Sequence, residues 1–270
     1  MSEFNEKRTW GPEPNYPLVK AYKRWDRSSI VVAGPCSVES KEQIYEIAEE
    51  VSRSGATHLR GGVFRAGTYP GNSFGLVDTS LMEYHQAAAH KHGLKNIMEV
   101  LDYSPESLSL FYRHADCFQV GSRQMQNYTL LTKVARSGKP VFLKRNQGST
   151  LDEWLGSAEW LLKYGAKDVI LIERGSSGFV NHVRWDLSIS MIPAIKQITE
   201  VPIIVDAAHG TGRRDLVEPM TLAGVAAGAD GLLCEVHPDP ENSLSDPDQA
   251  ITPCSFSVLM EKVNQIKEII

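Results

Sequence analysis

Side chains able to bind a metal ion follow three apolar runs of the sequence, at the points where those runs end. The runs near 30–34, 202–206 and 229–236 lead into Cys36, His209 and Glu235, and Asp246 follows the last of them. Ionised groups beside buried strands are costly unless they are paired or bind metal. A mixed sulfur, nitrogen and oxygen set suits a catalytic divalent metal better than an all-cysteine structural site. If Cys36 shares a rim with the other three, the sequence predicts such a site, open to Mn²⁺, Fe²⁺, Co²⁺ or Zn²⁺.

Other apolar runs end in positively charged side chains. These are Arg60, Arg123, Lys144 and Arg174. Any one of them could belong to a structural ion pair, but four on one rim would repel each other without an anion between them. Arginine matches phosphate and carboxylate groups with two parallel hydrogen bonds. The sequence therefore predicts a small ligand that carries several negative charges.

The elements that must position these side chains form a recurring strand-then-helix unit. Apolar runs predict strands near 30–34, 57–64, 95–100, 116–120, 140–144, 168–173, 202–206 and 229–236. Amphipathic stretches predict helices near 40–54, 79–92, 104–113, 126–136, 150–163, 186–198, 214–227 and 253–269. Ser40, Ser104 and Thr150 stand where helix N-caps are expected.

Eight such units favour a closed (β/α)₈ barrel. The strands are continuously apolar rather than alternating, which indicates burial on both faces and hence a parallel sheet covered by helices. A doubly wound open sheet is the alternative, but no G-x-G-x-x-G follows the first strand. In such barrels the active site lies at the carboxyl ends of the strands. We predict an arm over 1–28 and a barrel domain over 29–270.

Composition restricts the class of protein further. The chain has 270 residues and a net charge of −5, and no basic tract could follow a phosphate backbone, which argues against nucleic-acid binding. No apolar run approaches the roughly 18 residues of a membrane span, and no signal peptide is evident. The four cysteines lack C-x-x-C spacing, as expected in a reducing compartment. The sequence thus predicts a cytoplasmic protein without membrane or nucleic-acid partners.

Seven segments, in order from about residue 29 to the C-terminus, form a recognisable series. They are Ala33-Gly34-Pro35-Cys36-Ser37-Val38-Glu39-Ser40, Leu59-Arg60-Gly61-Gly62, Gly121-Ser122-Arg123-Gln124-Met125-Gln126-Asn127, Leu143-Lys144-Arg145, Ile172-Glu173-Arg174-Gly175, Gly212-Arg213-Arg214-Asp215-Leu216-Val217 and Glu235-Val236-His237-Pro238-Asp239-Pro240 with Leu244-Ser245-Asp246. The series resembles the type I DAHP synthases, most closely the β subgroup. The 3-deoxy-octulosonate 8-phosphate synthases are more distant relatives.

The resemblance implies a metal-dependent, aldol-type condensation of phosphoenolpyruvate with an aldose or aldose phosphate, giving a 3-deoxy-2-ulosonate and phosphate. By position, Cys36, His209, Glu235 and Asp246 look like the metal ligands. The phosphoenolpyruvate-binding groups by the same comparison are Arg60, Arg123, Lys144 and Arg174. Relatives are commonly dimers or tetramers, so a homodimer or homotetramer is expected.

The chain departs from the family in the long loop after the second strand, which we expect to shape the substrate pocket. Where the family carries Lys-Pro-Arg-Thr-Ser, this chain has Arg65-Ala66-Gly67-Thr68-Tyr69. Arg65 keeps the charge of a proposed proton donor but hardly deprotonates. Thr68 remains a candidate substrate contact, whereas the phosphate-binding arginine has become Gly67.

The polar ends of a second family motif are kept. Asp-Pro-Ser-His has become Asp206-Ala207-Ala208-His209, so the predicted catalytic groups are Arg65, Asp206 and His209, with Asp206 also contacting substrate. The hypothesis is that the acceptor differs from erythrose 4-phosphate and is another aldehyde, phosphorylated or not. Two alternatives stay open: a non-catalytic paralogue that binds phosphoenolpyruvate, and an unrelated barrel enzyme acting on a phosphorylated sugar.

Overall fold

Eight parallel strands close into a barrel in sequence order. The computed structural model describes residues 14–24, 26, 28–64, 78–101 and 103–270. The strands are β1 Ile30–Gly34, β2 His58–Arg60, β3 Lys95–Glu99, β4 Cys117–Val120, β5 Val141–Lys144, β6 Val169–Glu173, β7 Ile203–Val205 and β8 Gly231–Glu235. Strand β8 pairs with β1, with Gly34 opposite Glu235, and this pairing closes the barrel. The predicted (β/α)₈ architecture is confirmed.

Helices follow the strands and cover the barrel. They are α1 Pro17–Ala21, α2 Lys41–Arg53, α3 Ser80–Lys91, α4 Pro105–His114, α5 Tyr128–Ala135, α6 Leu151–Lys163, α7 Met191–Lys196, α8 Ala207–Thr211, α9 Arg214–Ala226 and α10 Pro253–Ile269. The predicted caps are confirmed, since Ser40, Ser104 and Thr150 each accept a hydrogen bond from a backbone amide in the first turn. The two short helices α1 and α8 were not predicted, because five residues are too few to show a helical period.

Apolar side chains pack in two separate layers. Inside the barrel, buried residues such as Val32, Ile97, Phe142 and Leu233 form one cluster. A larger cluster fills the space between the strands and the surrounding helices. Because both faces of each strand are buried, the sequence shows continuous apolar runs instead of alternation.

The described part of the N-terminal arm packs on the barrel. The backbone amides of Leu18 and Val19 donate to Glu159 on α6, and the hydroxyl of Tyr22 donates to Asp168 at 2.8 Å. These contacts hold the arm at the amino-terminal end of the barrel, away from the strand ends that carry the predicted site. Within the described ranges, no helix is both long and apolar enough to cross a bilayer.

Candidate active site

Three of the four predicted metal ligands converge at the carboxyl ends of β1 and β8. The donor atoms of Cys36, Glu235 and Asp246 all lie within 4.8 Å of one another. The Sγ atom of Cys36 is 3.1 Å from Oδ2 of Asp246. Glu235 is fully buried, and its register opposite Gly34 places it two residues from Cys36 on the neighbouring strand. Strand pairing thus joins residues that are about two hundred positions apart in the sequence.

The fourth predicted ligand, His209, reaches this cluster through its Nε2 atom, 3.2 Å from Oε1 of Glu235. Its Nδ1 atom lies 2.9 Å from Oδ2 of Asp206. Asp206 also caps α8, since its Oδ1 accepts the backbone N–H of His209 at 3.0 Å. One carboxylate therefore fixes both the backbone and the ring of His209, which leaves Nε2 directed at the cluster.

Asp206 stays ionised although it is completely buried. Burial alone would raise its pKa, but the neighbouring His209 and Lys144 hold the pKa of this carboxyl well below its usual range. The Nζ atom of Lys144 lies 3.1 Å from Oδ2 of Asp206 and 3.4 Å from the ring nitrogens of His209. Lys144 thus lies between the predicted metal ligands and the predicted anion-binding groups.

Three buried guanidinium groups carry hydrogen-bond donors that no described residue accepts, and one of them, Arg145, is already paired with Glu173 through NH1. Arg60 is 5% exposed and Arg174 is 4% exposed. Within the described part of the chain, Nε of Arg60 and both Nε and NH1 of Arg174 lack a hydrogen-bond partner. Buried charged donors without acceptors are costly. Their presence beside one cluster indicates that an anionic ligand completes the site.

The positive charges near Arg174 act on each other. Burial lowers the pKa of Arg174, and the charges of Arg184 and Arg123 act in the same direction. Arg123 is exposed and lies on a short 3₁₀ turn, Ser122–Gln124, directly after β4. An anion bound between these groups would relieve their repulsion.

Charged residues next to two of the predicted ligand-binding groups pair with each other instead. NH1 of Arg145 lies 2.9 Å from Oε2 of Glu173, and both residues are buried. The backbone N–H of Gly175 donates to the other oxygen of Glu173. Lys144 and Arg174 contact Asp206 and the backbone oxygen of His209, while their neighbours form a structural ion pair. The sequence indicated Lys144 and Arg174 as ligand-binding groups, but it did not predict that Arg145 pairs with Glu173.

The loop that presents Asp246 contains contacts that the sequence did not indicate. Asp246 has a φ of 51°, which is uncommon for a residue other than glycine. Arg214 holds this loop through its Nε to Ala250 O and its NH2 to Pro247 O, each at 2.7 Å. Gln249 and Arg184 also contact the site. Neither residue belongs to a motif that indicated a function. The only sequence feature near Gln249 is that it follows Asp246 by three residues.

Two predicted residues lie outside the described part of the chain. These are Arg65 and Thr68, together with the rest of the loop over 65–77. Their roles in catalysis and acceptor binding stay predictions.

The donor set fits a divalent metal ion. A thiol, two carboxylates and an imidazole nitrogen held by a carboxylate are found together, and such a group is electrostatically unfavourable without a cation. The acidic and thiol groups lie beside guanidinium groups with unpartnered donors, and all of them are at the carboxyl ends of barrel strands. This combination is typical of one class of protein. That class is the barrel enzymes that act on an anionic small molecule with the help of a divalent metal ion.

Comparison with known proteins identifies the family. The model of the DAHP synthetase I family matches residues 20–270. The chain is 40% identical over 239 residues to a phospho-2-dehydro-3-deoxyheptonate aldolase of Thermotoga maritima, which covers 88% of this chain and 69% of the relative. A 2-dehydro-3-deoxyphosphooctonate aldolase of Desulfotalea psychrophila is 26% identical over 259 residues, covering 88% of this chain and 89% of the relative. The protein belongs to the DAHP synthetase I family.

Solved structures agree with this assignment. The crystal structure of DAHP synthase from Thermotoga maritima superposes with a TM-score of 0.85 and 38% identity, covering 90% of this chain and 71% of that chain. A truncated form of 3-deoxy-D-arabino-heptulosonate 7-phosphate synthase from the same organism gives a TM-score of 0.82 and 37% identity, covering 90% of this chain and 88% of that chain. The resemblance drawn from the sequence segments is confirmed.

Proposed function

We propose that the protein condenses phosphoenolpyruvate with an aldose or aldose phosphate at the cluster around Glu235 and Arg174. As a member of the DAHP synthetase I family, the chain is a phosphoenolpyruvate-dependent transferase. The observation that carries the choice of site is the set of unpartnered donors on the buried Arg60 and Arg174. A ligand that bears both a phosphate and a carboxylate would supply acceptors for them.

The cationic side chains have separate tasks in this proposal. Arg60, Arg123, Lys144 and Arg174 hold the phosphate and carboxylate groups of phosphoenolpyruvate. Each charge-assisted hydrogen bond contributes about 1.5–3 kcal/mol. Lys144 already lies against Asp206, so its ammonium group is held in place before the substrate arrives. The leaving phosphate is stabilised by the same preorganised charges.

Cys36, His209, Glu235 and Asp246 would hold a divalent cation. When bound, such a cation supplies Lewis-acid polarisation of the acceptor's aldehyde carbonyl. Asp206 keeps the Nδ1 proton of His209, so that Nε2 remains available as a ligand. Which of Mn²⁺, Fe²⁺, Co²⁺ or Zn²⁺ is bound stays open in the proposal.

The proposed reaction forms one C–C bond and releases inorganic phosphate. C3 of phosphoenolpyruvate attacks the aldehyde carbon, which forms the new C–C bond and leaves C2 electron-deficient. Water adds to C2 and gives up one proton, and the new alkoxide takes up a proton. The bond from C2 to the phosphate oxygen then breaks as the C2 hydroxyl becomes the carbonyl, and the hydroxyl proton passes to the departing phosphate. The products are a 3-deoxy-2-ulosonate and inorganic phosphate. We keep the prediction that Arg65 contributes near the reacting centre.

Two acceptors are proposed. The replacement of the family's phosphate-binding arginine by Gly67 favours an aldehyde other than erythrose 4-phosphate. The name of the Thermotoga maritima relative, a 3-deoxyheptonate aldolase, favours a four-carbon aldose phosphate, because seven carbons less the three of phosphoenolpyruvate leave four. In both cases the acceptor brings an aldehyde to the same cluster.

Phosphate release from phosphoenolpyruvate tests the proposal. The protein is supplied with Mn²⁺ and erythrose 4-phosphate, then with a panel of other aldoses, with and without chelator. Rapid, chelator-sensitive release with erythrose 4-phosphate would refute the altered-acceptor hypothesis, whereas turnover only with another aldose would support it. No release with any acceptor, while phosphoenolpyruvate still binds, would favour the non-catalytic paralogue.

We further propose a cytoplasmic homodimer or homotetramer. None of the four cysteines, all in the described part of the chain, forms a disulfide, which suits a reducing compartment. Relatives of the family commonly assemble as dimers or tetramers. Light scattering after size-exclusion chromatography measures the oligomeric state directly.

A further inference from the structure

A buried glutamine next to the candidate metal ligands makes one of the shortest hydrogen bonds in the site. Gln249 is 2% exposed, and its Nε2 donates to Oε2 of Glu235 at 2.6 Å. Glu235 is itself fully buried, so bulk solvent does not reach this oxygen. The amide therefore occupies the oxygen of Glu235 that Arg60 and His209 do not contact.

The other oxygen of Glu235 has different partners. Oε1 lies 2.7 Å from NH1 of Arg60 and 3.2 Å from Nε2 of His209. The two oxygens are thus divided between two tasks. One faces the side chains that bind the ligands, and the other is held by Gln249.

The far end of the amide is also fixed. NH1 of Arg184 donates to Oε1 of Gln249 at 3.4 Å and lies 3.9 Å from Oδ1 of Asp246. A guanidinium group can only donate, so the oxygen end of the amide faces Arg184 and the NH₂ end faces Glu235. Arg184 in this way selects the orientation in which Gln249 supports the carboxylate.

Backbone contacts hold Gln249 beside Glu235. The N–H of Ile251 donates to the backbone oxygen of Glu235 at 2.9 Å, and the N–H of Gln249 donates to that of Asp246 at 3.3 Å. Arg214 adds its bonds to the carbonyls of Pro247 and Ala250. The amide is therefore delivered by a rigid turn that also carries the ligand Asp246.

From these contacts we propose that Gln249 is a positioning residue for Glu235. It restrains the carboxylate by its hydrogen bond to Oε2, with Oε1 on the side of His209, and in this orientation Glu235 would help to hold a divalent cation. The inference rests on the proposed metal-dependent function. Outer partners of metal ligands typically change metal affinity or activity about 10- to 100-fold when they are removed.

Two substitutions of nearly equal size separate positioning from packing. Gln249→Met keeps the length of the side chain but removes the donor, and Gln249→Glu keeps the shape but sets an acceptor oxygen against Oε2 of Glu235. If Gln249 only filled space, Gln249→Met would keep the wild-type metal affinity, because methionine has nearly the same length and volume as glutamine. If it positions Glu235, affinity falls in the order wild type, Gln249→Met, Gln249→Glu.

The measurement is Co²⁺ binding to the metal-free full-length protein, followed by visible absorption and by competition with a chelator. We expect about 10- to 100-fold weaker binding for Gln249→Met, still weaker binding for Gln249→Glu, and an altered Co²⁺ spectrum. Gln43→Met is the matched control, because Gln43 is also buried but bonds His237 and the Ser37 backbone.

Wild-type Co²⁺ affinity in Gln249→Met or in Gln249→Glu, or an equal loss in Gln43→Met, would overturn the inference. The proposed function is tested separately by Co²⁺ binding and phosphate release in the wild-type protein. Its failure would show as an absence of both before any variant is compared.

Discussion

The Nδ1 atom of His209 lies 2.9 Å from Oδ2 of Asp206, three residues earlier in the chain. The same aspartate caps helix α8 by accepting the backbone N–H of His209. A single turn of helix therefore orients the imidazole. The three-residue spacing of the Asp-x-x-His segment brings the carboxylate within reach of both the backbone N–H and the ring of the histidine. The ammonium group of the buried Lys144 also pairs with this carboxylate.

Asp206→Asn should weaken metal binding about 10- to 100-fold. The amide can still face the ring of His209, but it no longer balances the charge of Lys144 or favours the donor state of Nδ1. Titration with Mn²⁺ or Co²⁺ measures the loss. Asp215→Asn is the control, because Asp215 is exposed and pairs with Arg213 away from the cluster. Equal affinities in both variants would contradict this account.

Arg174→Gln should raise KM for phosphoenolpyruvate by about one to two decades. The loss corresponds to one charge-assisted hydrogen bond of about 1.5–3 kcal/mol. KM for the acceptor should change little in steady-state phosphate-release assays. Arg213→Gln provides the matched control, since its side chain is about half exposed and bonds Asp215. An effect confined to the acceptor would mean that Arg174 binds the other substrate.

Arg214→Met should lower the free energy of unfolding by about 1–3 kcal/mol, because two partly buried backbone carbonyls of the Asp246 loop lose their charged donor. Metal affinity should fall too, since the loop presents Asp246 and Gln249. Denaturant unfolding and Co²⁺ titration check the two effects. Lys262→Met removes a surface ion pair with Glu218 and should leave both quantities nearly unchanged. Unchanged Co²⁺ affinity in Arg214→Met would show that the loop holds its shape without this clamp.

The stability of the protein should fall as the pH drops from about 6.5 towards 4. Burial lowers the pKa of His85 to about 4, while in the unfolded chain its pKa is near 6.5. Between these values the unfolded state binds the proton and the folded state does not, so acid favours unfolding, by up to about 3 kcal/mol for this residue.

His85→Gln provides the test of that assignment. The glutamine keeps a donor for the backbone oxygen of Leu59, which accepts from Nε2 of His85 at 3.2 Å, but it does not titrate. The free energy of unfolding of the variant should vary less with pH over this interval, measured by urea unfolding at several pH values. A slope equal to that of the wild type would assign the acid sensitivity to other groups.

Much of the fold followed from local patterns. Eight apolar runs alternating with amphipathic stretches predicted the barrel, and the caps at Ser40, Ser104 and Thr150 predicted where helices begin. Side chains at the ends of those runs were predicted to lie together, because parallel strands in a barrel end at one rim, and the donor atoms of Cys36, Glu235 and Asp246 lie within 4.8 Å of one another. Residue type then indicated metal and anion chemistry, while the family followed from the ordered segments.

Other features depended on contacts between distant parts of the chain. The sequence indicated Lys144 and Arg174 as ligand-binding groups. It did not show that both contact the Asp206–His209 segment or that Arg145 pairs with Glu173, because these contacts join different strands. Helix α8 was too short to show a period.

The sequence by itself determined the barrel, the family and the kinds of side chain at the strand ends, because periodicity and residue type are local properties. Only the tertiary structure decided which oxygen of Glu235 meets His209 and which is held by Gln249. It also decided that Arg214 clamps the Asp246 loop. These contacts arise from barrel closure and loop geometry, which place residues far apart in sequence within hydrogen-bonding distance.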